Sequence, residues 1–198
     1  RAERRRSKKE SFTFKEKIMY YGAVKNCDIA NGIGIRISLF VSGCRNHCPG
    51  CFQPETWAFD YGNPYTKETE DHIIELLAPE YVDGLSILGG DPFEPENQKD
   101  VLSLMQRAKK LYPEKNIWIY TGYTYEVLSS GKTHPCDIYT NDILSLTDVL
   151  IDGPFIEEKK DITLQFRGSS NQRLIDMNGT RKQGKVVLLK ERKRGSFY

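Results

Sequence analysis

The feature that most restricts the fold of this chain is an alternation of short apolar segments with longer amphipathic ones. The amphipathic segments, which follow Thr66 and Pro95, repeat their apolar residues at helical spacing. Strands that alternate with helices form parallel β-α-β units with right-handed crossovers. We therefore predict an α/β fold with a parallel sheet. The units are too few for a complete barrel, so we expect an open, partial β/α barrel. The apolar segments of strand length are residues 35–41, 84–88, 117–120 and 148–151.

Each predicted strand is followed by a loop of unusual composition. The first loop holds three cysteines, and the later loops begin Gly89-Gly-Asp-Pro92, Thr121-Gly122 and Asp152-Gly153. In parallel α/β folds, the loops at the carboxyl ends of the strands converge on one face, where ligands bind. The sequence therefore predicts a single site to which all of these loops contribute.

The cysteines of the first loop, Cys44, Cys48 and Cys51, are spaced as C-x3-C-x2-C. Soft thiolates this close together favour a thiophilic metal. A closed zinc site usually has four ligands in two separated pairs, whereas three thiolates can hold three irons of a cubane cluster and leave the fourth iron open. Zinc remains the alternative at this point. Its fourth ligand would come from Cys27, Cys136 or His47.

The C-x3-C-x2-C spacing is typical of the radical S-adenosylmethionine superfamily, and the surrounding sequence resembles one family within it, the activating proteins of anaerobic ribonucleoside-triphosphate reductase. The resemblance covers roughly residues 20–180 and implies the partial barrel of that superfamily. The matching segments are Asn31-Gly-Ile-Gly34, Leu39-Phe-Val-Ser-Gly-Cys44, Cys48-Pro-Gly-Cys51, Thr56-Trp57, Gly89-Gly-Asp-Pro92, Trp118-Ile-Tyr-Thr-Gly122, Asp152-Gly153 and Phe166-Arg-Gly-Ser-Ser-Asn171.

This resemblance implies an oxidoreductase with a 4Fe-4S cluster on Cys44, Cys48 and Cys51. The open iron would bind S-adenosyl-L-methionine, and its reductive cleavage would produce a radical that takes a hydrogen atom from a glycine of the reductase large subunit. An electron donor such as a flavodoxin-type protein would be a second partner. The cofactors carry the chemistry, so no side chain is required as a general acid or base. The alternatives are an activase of another glycyl radical enzyme, such as pyruvate formate-lyase, and a zinc-binding interaction module.

The residues expected to bind S-adenosylmethionine lie in the first three loops. Gly89 and Gly90 lack side chains, so their backbone carbonyls can approach a ligand ammonium, while Asp91 adds a negative charge. The wider superfamily has an aromatic residue before its third cysteine, where this chain has Gly50, so Phe52 is the nearest candidate for packing against adenine. The full predicted set is Gly50, Cys51, Phe52, Gly89, Gly90, Asp91, Thr121 and Gly122.

Charge is distributed unevenly along the chain. Residues 1–10 carry +4, residues 181–198 carry +6 and the intervening residues carry −8, which gives the net charge of +2. We predict a basic tail at 1–15, one domain at 16–180 and a basic segment at 181–198. Neither end carries a nucleic-acid motif, so nucleic acid is not an expected partner. No apolar run reaches the length of a transmembrane helix, and the clustered, odd number of cysteines indicates a reducing, cytoplasmic location.

The cysteine spacing yields a direct prediction about metal content. Replacement of Cys44, Cys48 or Cys51 by Ala should remove most of the iron from anaerobically reconstituted protein, because each substitution deletes one of only three thiolate ligands. The controls Cys27→Ala and Cys136→Ala should leave the iron content nearly unchanged. Iron assays on the five purified variants test this, and a Cys48→Ala protein with full iron would disprove the ligand assignment.

Overall fold

The structure is a computed structural model that describes residues 18–190. The predicted tail at 1–15 and residues 191–198 of the basic segment lie outside the described residues, and the division into tail, domain and segment stays a prediction. Within the described part, seven strands form one sheet and five α-helices accompany it. No helix in this part of the chain is long and apolar enough to cross a membrane.

The strands and helices are numbered separately along the chain. The strands are β1 (Tyr20–Asp28), β2 (Arg36–Val41), β3 (Asn63–Pro64), β4 (Gly84–Gly89), β5 (Asn116–Tyr120), β6 (Val149–Asp152) and β7 (Arg173–Asp176). The helices are α1 (Lys67–Leu77), α2 (Pro95–Leu111), α3 (Tyr125–Ser130), α4 (Thr140–Leu146) and α5 (Met177–Gln183). Short 3-10 turns occupy Pro54–Trp57 and Glu157–Lys159.

The sheet has a parallel centre and antiparallel edges. Its strand order is β3-β1-β2-β4-β5-β6-β7, in which β2, β4, β5 and β6 run parallel. These are the predicted strands, and their presence confirms the mixed α/β class. The antiparallel strands β1, β3 and β7 were not predicted. Most residues of β1 are half-buried or exposed, so its sequence lacks the apolar run that identifies a central strand.

One face of the sheet packs against the helices and forms the main core. Thr66 caps the start of helix α1, and its side chain forms a capping box with Thr69. Helix α2 has Pro95 as its first residue. Full burial of each aliphatic side chain contributes about 1.5–3 kcal/mol, so this layer supplies much of the hydrophobic stabilisation. The strand residues on this face include Ile37, Leu39, Val41, Leu85, Ile87, Ile117, Ile119, Leu150 and Ile175.

The opposite face, here called the inner face, is covered by loops. The loop between β1 and β2 packs over its start, where Gly32 lies against Arg36 and Trp118. The loop between β6 and β7 packs over its far side, where the Phe166 ring meets Trp118 edge-on at 5.3 Å. A smaller apolar cluster forms beneath these loops. Its buried members are Trp118, Val149, Ile151 and Leu174.

Arg36 is a fully buried cation on the inner face. Its guanidinium donates to Ser86 Oγ at 2.6 Å, to Asn116 Oδ1 at 2.7 Å and to the Leu85 carbonyl at 2.7 Å, and it lies 5.2 Å from the Trp118 ring. Burial lowers the pKa of Arg36 to about 10. One side chain thus joins β2, β4 and β5, because its fork of donors reaches the adjacent strand β4 and the next strand, β5.

We expect Arg36→Lys to lower the free energy of unfolding by about 2–4 kcal/mol, since an ammonium cannot satisfy the acceptors that the guanidinium binds and would itself be buried. Urea unfolding monitored by circular dichroism measures this. The matched control is Arg107→Lys, at a partly exposed ion pair with Glu70 and Asp71, which should cost much less stability because solvent screens the pair. Equal losses in the two variants would contradict the account of Arg36.

Candidate active site

A cavity of about 600 Å³ opens at the carboxyl ends of the parallel strands. The loops after β2, β4, β5 and β6 all contribute to its wall, so the structure brings together the segments that the sequence analysis placed around one site. Every predicted site residue except Gly50 lines this cavity. The predicted residues in its wall are Cys44, Cys48, Cys51, Phe52, Gly89, Gly90, Asp91, Thr121 and Gly122.

Gly50 is exposed beside the cavity rather than in its wall. Its φ of +71° lies in the left-handed region, and a Cβ at this position would be 2.9 Å from the Glu157 carboxylate carbon. The turn between Cys48 and Cys51 therefore requires a residue without a side chain here. This backbone requirement accounts for a glycine at the position.

The cysteine loop is fastened to its neighbours by main-chain hydrogen bonds. Gly43 N–H donates to the Thr56 carbonyl at 2.8 Å, and the Gly43 carbonyl accepts from Asp91 N–H at 2.8 Å. Gly90 N–H donates to the Val41 carbonyl at 2.7 Å. The loops after β2 and β4 therefore lie in direct backbone contact, immediately before Cys44.

The glycines after β4 make this contact sterically feasible. A Cβ on Gly90 would lie 2.5 Å from the Gly43 carbonyl oxygen, and one on Gly89, whose φ is +108°, would lie 2.6 Å from the Val41 oxygen. Both distances are shorter than any real Cβ contact with a backbone atom. Glycines at positions 89 and 90 are expected to let the backbone approach a ligand. The close packing of two loops is a second reason for glycine at both positions.

Asp91 is fully buried and its carboxylate connects three loops. One oxygen accepts from Phe93 N–H at 3.0 Å, and the other accepts from Gly122 N–H at 2.9 Å and Asn46 Nδ2 at 3.0 Å. Thr121 Oγ1 lies 2.9 and 3.0 Å from the two oxygens. Burial raises the pKa of Asp91 to about 7, and hydrogen bonds from Gly122, Phe93 and Thr121 act against that rise. The carboxylate contributes negative charge to the cavity wall while its oxygens hold the loops.

Asn46 belongs to the site although the sequence analysis did not identify it. Its Nδ2 lies 3.7 Å from Cys44 Sγ, in addition to its bond to Asp91. A Cβ on Gly122 would lie 2.4 Å from this same nitrogen, so the glycine makes room for the amide. Nothing in the spacing of the cysteine loop distinguishes Asn46 from its neighbours, because its role depends on a partner 45 residues away.

The three clustered cysteines are free thiols with different exposure. Cys44 is buried, whereas Cys48 and Cys51 are half-buried. Burial, followed by the charge of Asp91, raises the pKa of Cys44 to about 12, and burial also raises the pKa of Cys48. Metal binding to Cys44 therefore has to displace a firmly held proton. Residues 18–190 contain no group of three His, Cys, Asp or Glu side chains arranged around a single metal ion.

The other candidate ligands lie elsewhere. Cys27 is exposed at the end of β1, and Cys136 Sγ lies 3.3 Å from the Val127 carbonyl near α3; neither lines the cavity. His47 stacks on the Trp57 ring at 4.7 Å. The structure therefore brings neither Cys27 nor Cys136 to the cavity that the three clustered cysteines line.

Aromatic rings form much of the outer wall. Phe52 is 65% exposed, and its ring meets that of Phe155 at 5.2 Å. Gly168 packs beneath these two rings, since a Cβ there would lie 2.8 Å from Phe52. Phe52 is an expected member of this wall, whereas Phe155 is not, because nothing in the local sequence after Asp152-Gly153 indicates that its ring packs on Phe52.

Comparisons with known proteins identify a matching family model and several similar relatives. The family model described as a 4Fe-4S single cluster domain matches residues 30–175. The chain is 42% identical over 156 residues to the anaerobic ribonucleoside-triphosphate reductase-activating proteins of Salmonella typhi and Escherichia coli K12, which covers 78% of this chain and 96% of each relative. The protein of the same name from Enterobacteria phage T4 is 37% identical over 156 residues, covering 79% of this chain and 93% of the relative.

The packing of Gly90 predicts an effect on both the fold and the metal. Gly90→Ala should lower the melting temperature by several degrees and reduce iron retention at least twofold, because its Cβ would push the Gly43 backbone next to Cys44. Gly22→Ala is the control, since its Cβ would meet side chains alone, the movable Tyr61 ring at 3.0 Å and Thr56 Cγ2 at 3.8 Å. Calorimetric melting and iron assays measure both effects. A Gly90→Ala protein that matches Gly22→Ala in both assays would refute this interpretation.

Proposed function

Because this chain belongs to the family of anaerobic ribonucleoside-triphosphate reductase-activating proteins, we propose that it is a radical S-adenosylmethionine enzyme that generates a glycyl radical on the anaerobic reductase. The observation that carries the proposal is the cavity itself. Its wall combines the three-cysteine loop with the glycine-rich loops after β4 and β5. Such a wall suits a cluster and a small ligand bound side by side.

The residues that would hold the 4Fe-4S cluster are Cys44, Cys48 and Cys51. All three line the cavity as free thiols, and their loop is held in place by Asp91 and Asn46. When bound and reduced, the cluster would supply the electron that cleaves S-adenosylmethionine to methionine and a 5′-deoxyadenosyl radical, which can take a hydrogen atom from a glycine. The chain's own residues bind and orient the reactants and keep water away from them.

Several residues are suited to orient S-adenosylmethionine. Gly89 and Gly90 present bare backbone to the cavity, and the buried charge of Asp91 favours a ligand cation such as the ammonium or sulfonium. Thr121 and Gly122 line the wall beside Asp91. Phe52, with Phe155 against it, offers an aromatic surface for the adenine.

The inner face supports the proposal of an open, partial barrel of the radical S-adenosylmethionine type. Helices pack against only one face of the parallel strands, and Phe40, Leu88 and Tyr120 of the inner face line the cavity. A curved sheet with helices outside and ligands inside has this arrangement. The inner face would then receive the glycine-bearing segment of the reductase.

The partners follow from the proposed reaction. The reductase large subunit receives the radical, and a low-potential donor such as a flavodoxin-type protein supplies the electron. Free cysteines and an oxygen-sensitive cluster suit a cytoplasmic setting. Activation of pyruvate formate-lyase is the second candidate among enzymes, and the names of the relatives favour the ribonucleotide reductase. A zinc-binding module is the non-enzymatic alternative.

The test is anaerobic reconstitution of the full chain with iron and sulfide. We expect a brown protein with broad absorbance near about 400 nm that releases 5′-deoxyadenosine from S-adenosylmethionine when reduced. It should produce a glycyl radical signal in electron paramagnetic resonance with the anaerobic ribonucleotide reductase. Cys48→Ala is the control and should give neither product.

Two results would redirect the assignment. A radical on pyruvate formate-lyase but not on the ribonucleotide reductase would identify the other activase. A colourless protein that binds one zinc tightly and does not cleave S-adenosylmethionine would rule out both enzymatic functions.

A further inference from the structure

A second buried carboxylate lies beside the cysteine loop, and the proposed function gives it no role. Glu94 is fully buried and stands directly before α2. Its Oε1 accepts a hydrogen bond from the backbone N–H of Arg45 at 2.8 Å. This N–H belongs to the peptide bond that follows Cys44, so Glu94 contacts the main chain next to a proposed iron ligand.

Donors from three segments surround the Glu94 carboxylate. Tyr123 Oη, from the loop after β5, donates to Oε1 at 2.9 Å. The Arg45 guanidinium forms an ion pair with Oε2, and His134 Nε2 lies 3.4 Å from the same oxygen. Because these contacts reach both of its oxygens from several directions, the carboxylate is held in one position. The cysteine loop is thereby connected to α2 and to the loop after β5.

Glu94 also places charge near the proposed cluster. Its carboxylate accepts from the peptide N–H that directly follows Cys44, so it lies one residue from a proposed ligand. Arg45 is the compensating cation beside Glu94. It also pairs with Glu96 at 2.6 Å on its exposed side and lies 4.3 Å from the Phe59 ring.

We propose that Glu94 is a positioning residue for the cysteine loop and that its negative charge lowers the reduction potential of the cluster. The positive charge of Arg45 acts in the opposite direction. The inference rests on the proposed cluster at Cys44, Cys48 and Cys51. Reduction adds one electron to the cluster, and a fixed negative charge nearby disfavours that electron, whereas a fixed cation favours it. A lower potential makes the reduced cluster a stronger donor to a sulfonium.

Three charge variants separate this role from a purely structural one. Glu94→Gln removes the buried charge at nearly constant shape, and Arg45→Gln removes the compensating cation but keeps the backbone N–H. Glu96→Gln neutralises the less buried partner of the same Arg45. We expect the midpoint potential of the reconstituted cluster to rise in Glu94→Gln, to fall in Arg45→Gln and to stay near the wild-type value in Glu96→Gln. Redox titration followed by electron paramagnetic resonance of the reduced cluster measures the potentials.

Iron content tests the positioning role. Glu94→Gln should retain less iron per chain than Glu96→Gln. If the amide oxygen takes the place of Oε1, the amide NH2 faces the Arg45 guanidinium, donor against donor, and the ion pair that holds the loop is lost. If Glu94→Gln is too unstable to reconstitute, Arg45→Gln still decides the sign of the effect on potential.

Two failures are distinguishable. Wild-type iron content and potential in both Glu94→Gln and Arg45→Gln would overturn the inference while leaving the proposed function intact. A wild-type chain that takes up no cluster would overturn the proposed function, and the inference with it.

Discussion

The carboxylate of Asp91 is the interaction on which the rest of the site depends. It is fully buried, and its hydrogen-bond donors come from the loops after β2, β4 and β5. A buried carboxylate without donors would cost several kcal/mol, so folding of the sheet requires these loops to arrive together. The cysteine loop is consequently held by protein contacts, through Asn46.

Close backbone packing reinforces this arrangement. Gly90 lies against Gly43, and Gly122 lies against Asn46, with no room for a side chain at either place. Glu94 holds Arg45 from the opposite side. The thiols of an ordered loop lose little conformational freedom on binding a cluster, which is the usual advantage of a rigid, supported site. The three cysteines and the glycines of the cavity wall share that support, because neighbouring loops supply both.

The sequence predicted the central strands, α1 and α2 because their apolar residues follow the period of a buried strand or helix. It missed β1 and β7, which pair at the antiparallel margins of the sheet and are less uniformly buried. It identified the cysteine loop and the loops after β4 and β5 as parts of the cavity wall, because loops after parallel strands must converge. It missed Asn46 and Glu94, whose partners lie about 45 to 49 residues away and follow from no local pattern. The sequence also did not predict the burial of Arg36, since arginine is rarely enclosed without a carboxylate partner.

The contacts of Gly89 and Gly90 differ from those of Gly168 in a way that bears on which substitutions each loop can accept. The first two meet backbone atoms, which cannot rotate aside, whereas Gly168 meets the rings of Phe52 and Phe155, which can. A side chain in place of Gly89 or Gly90 would have to separate two loops, whereas one in place of Gly168 would only displace aromatic rings at the rim of the cavity.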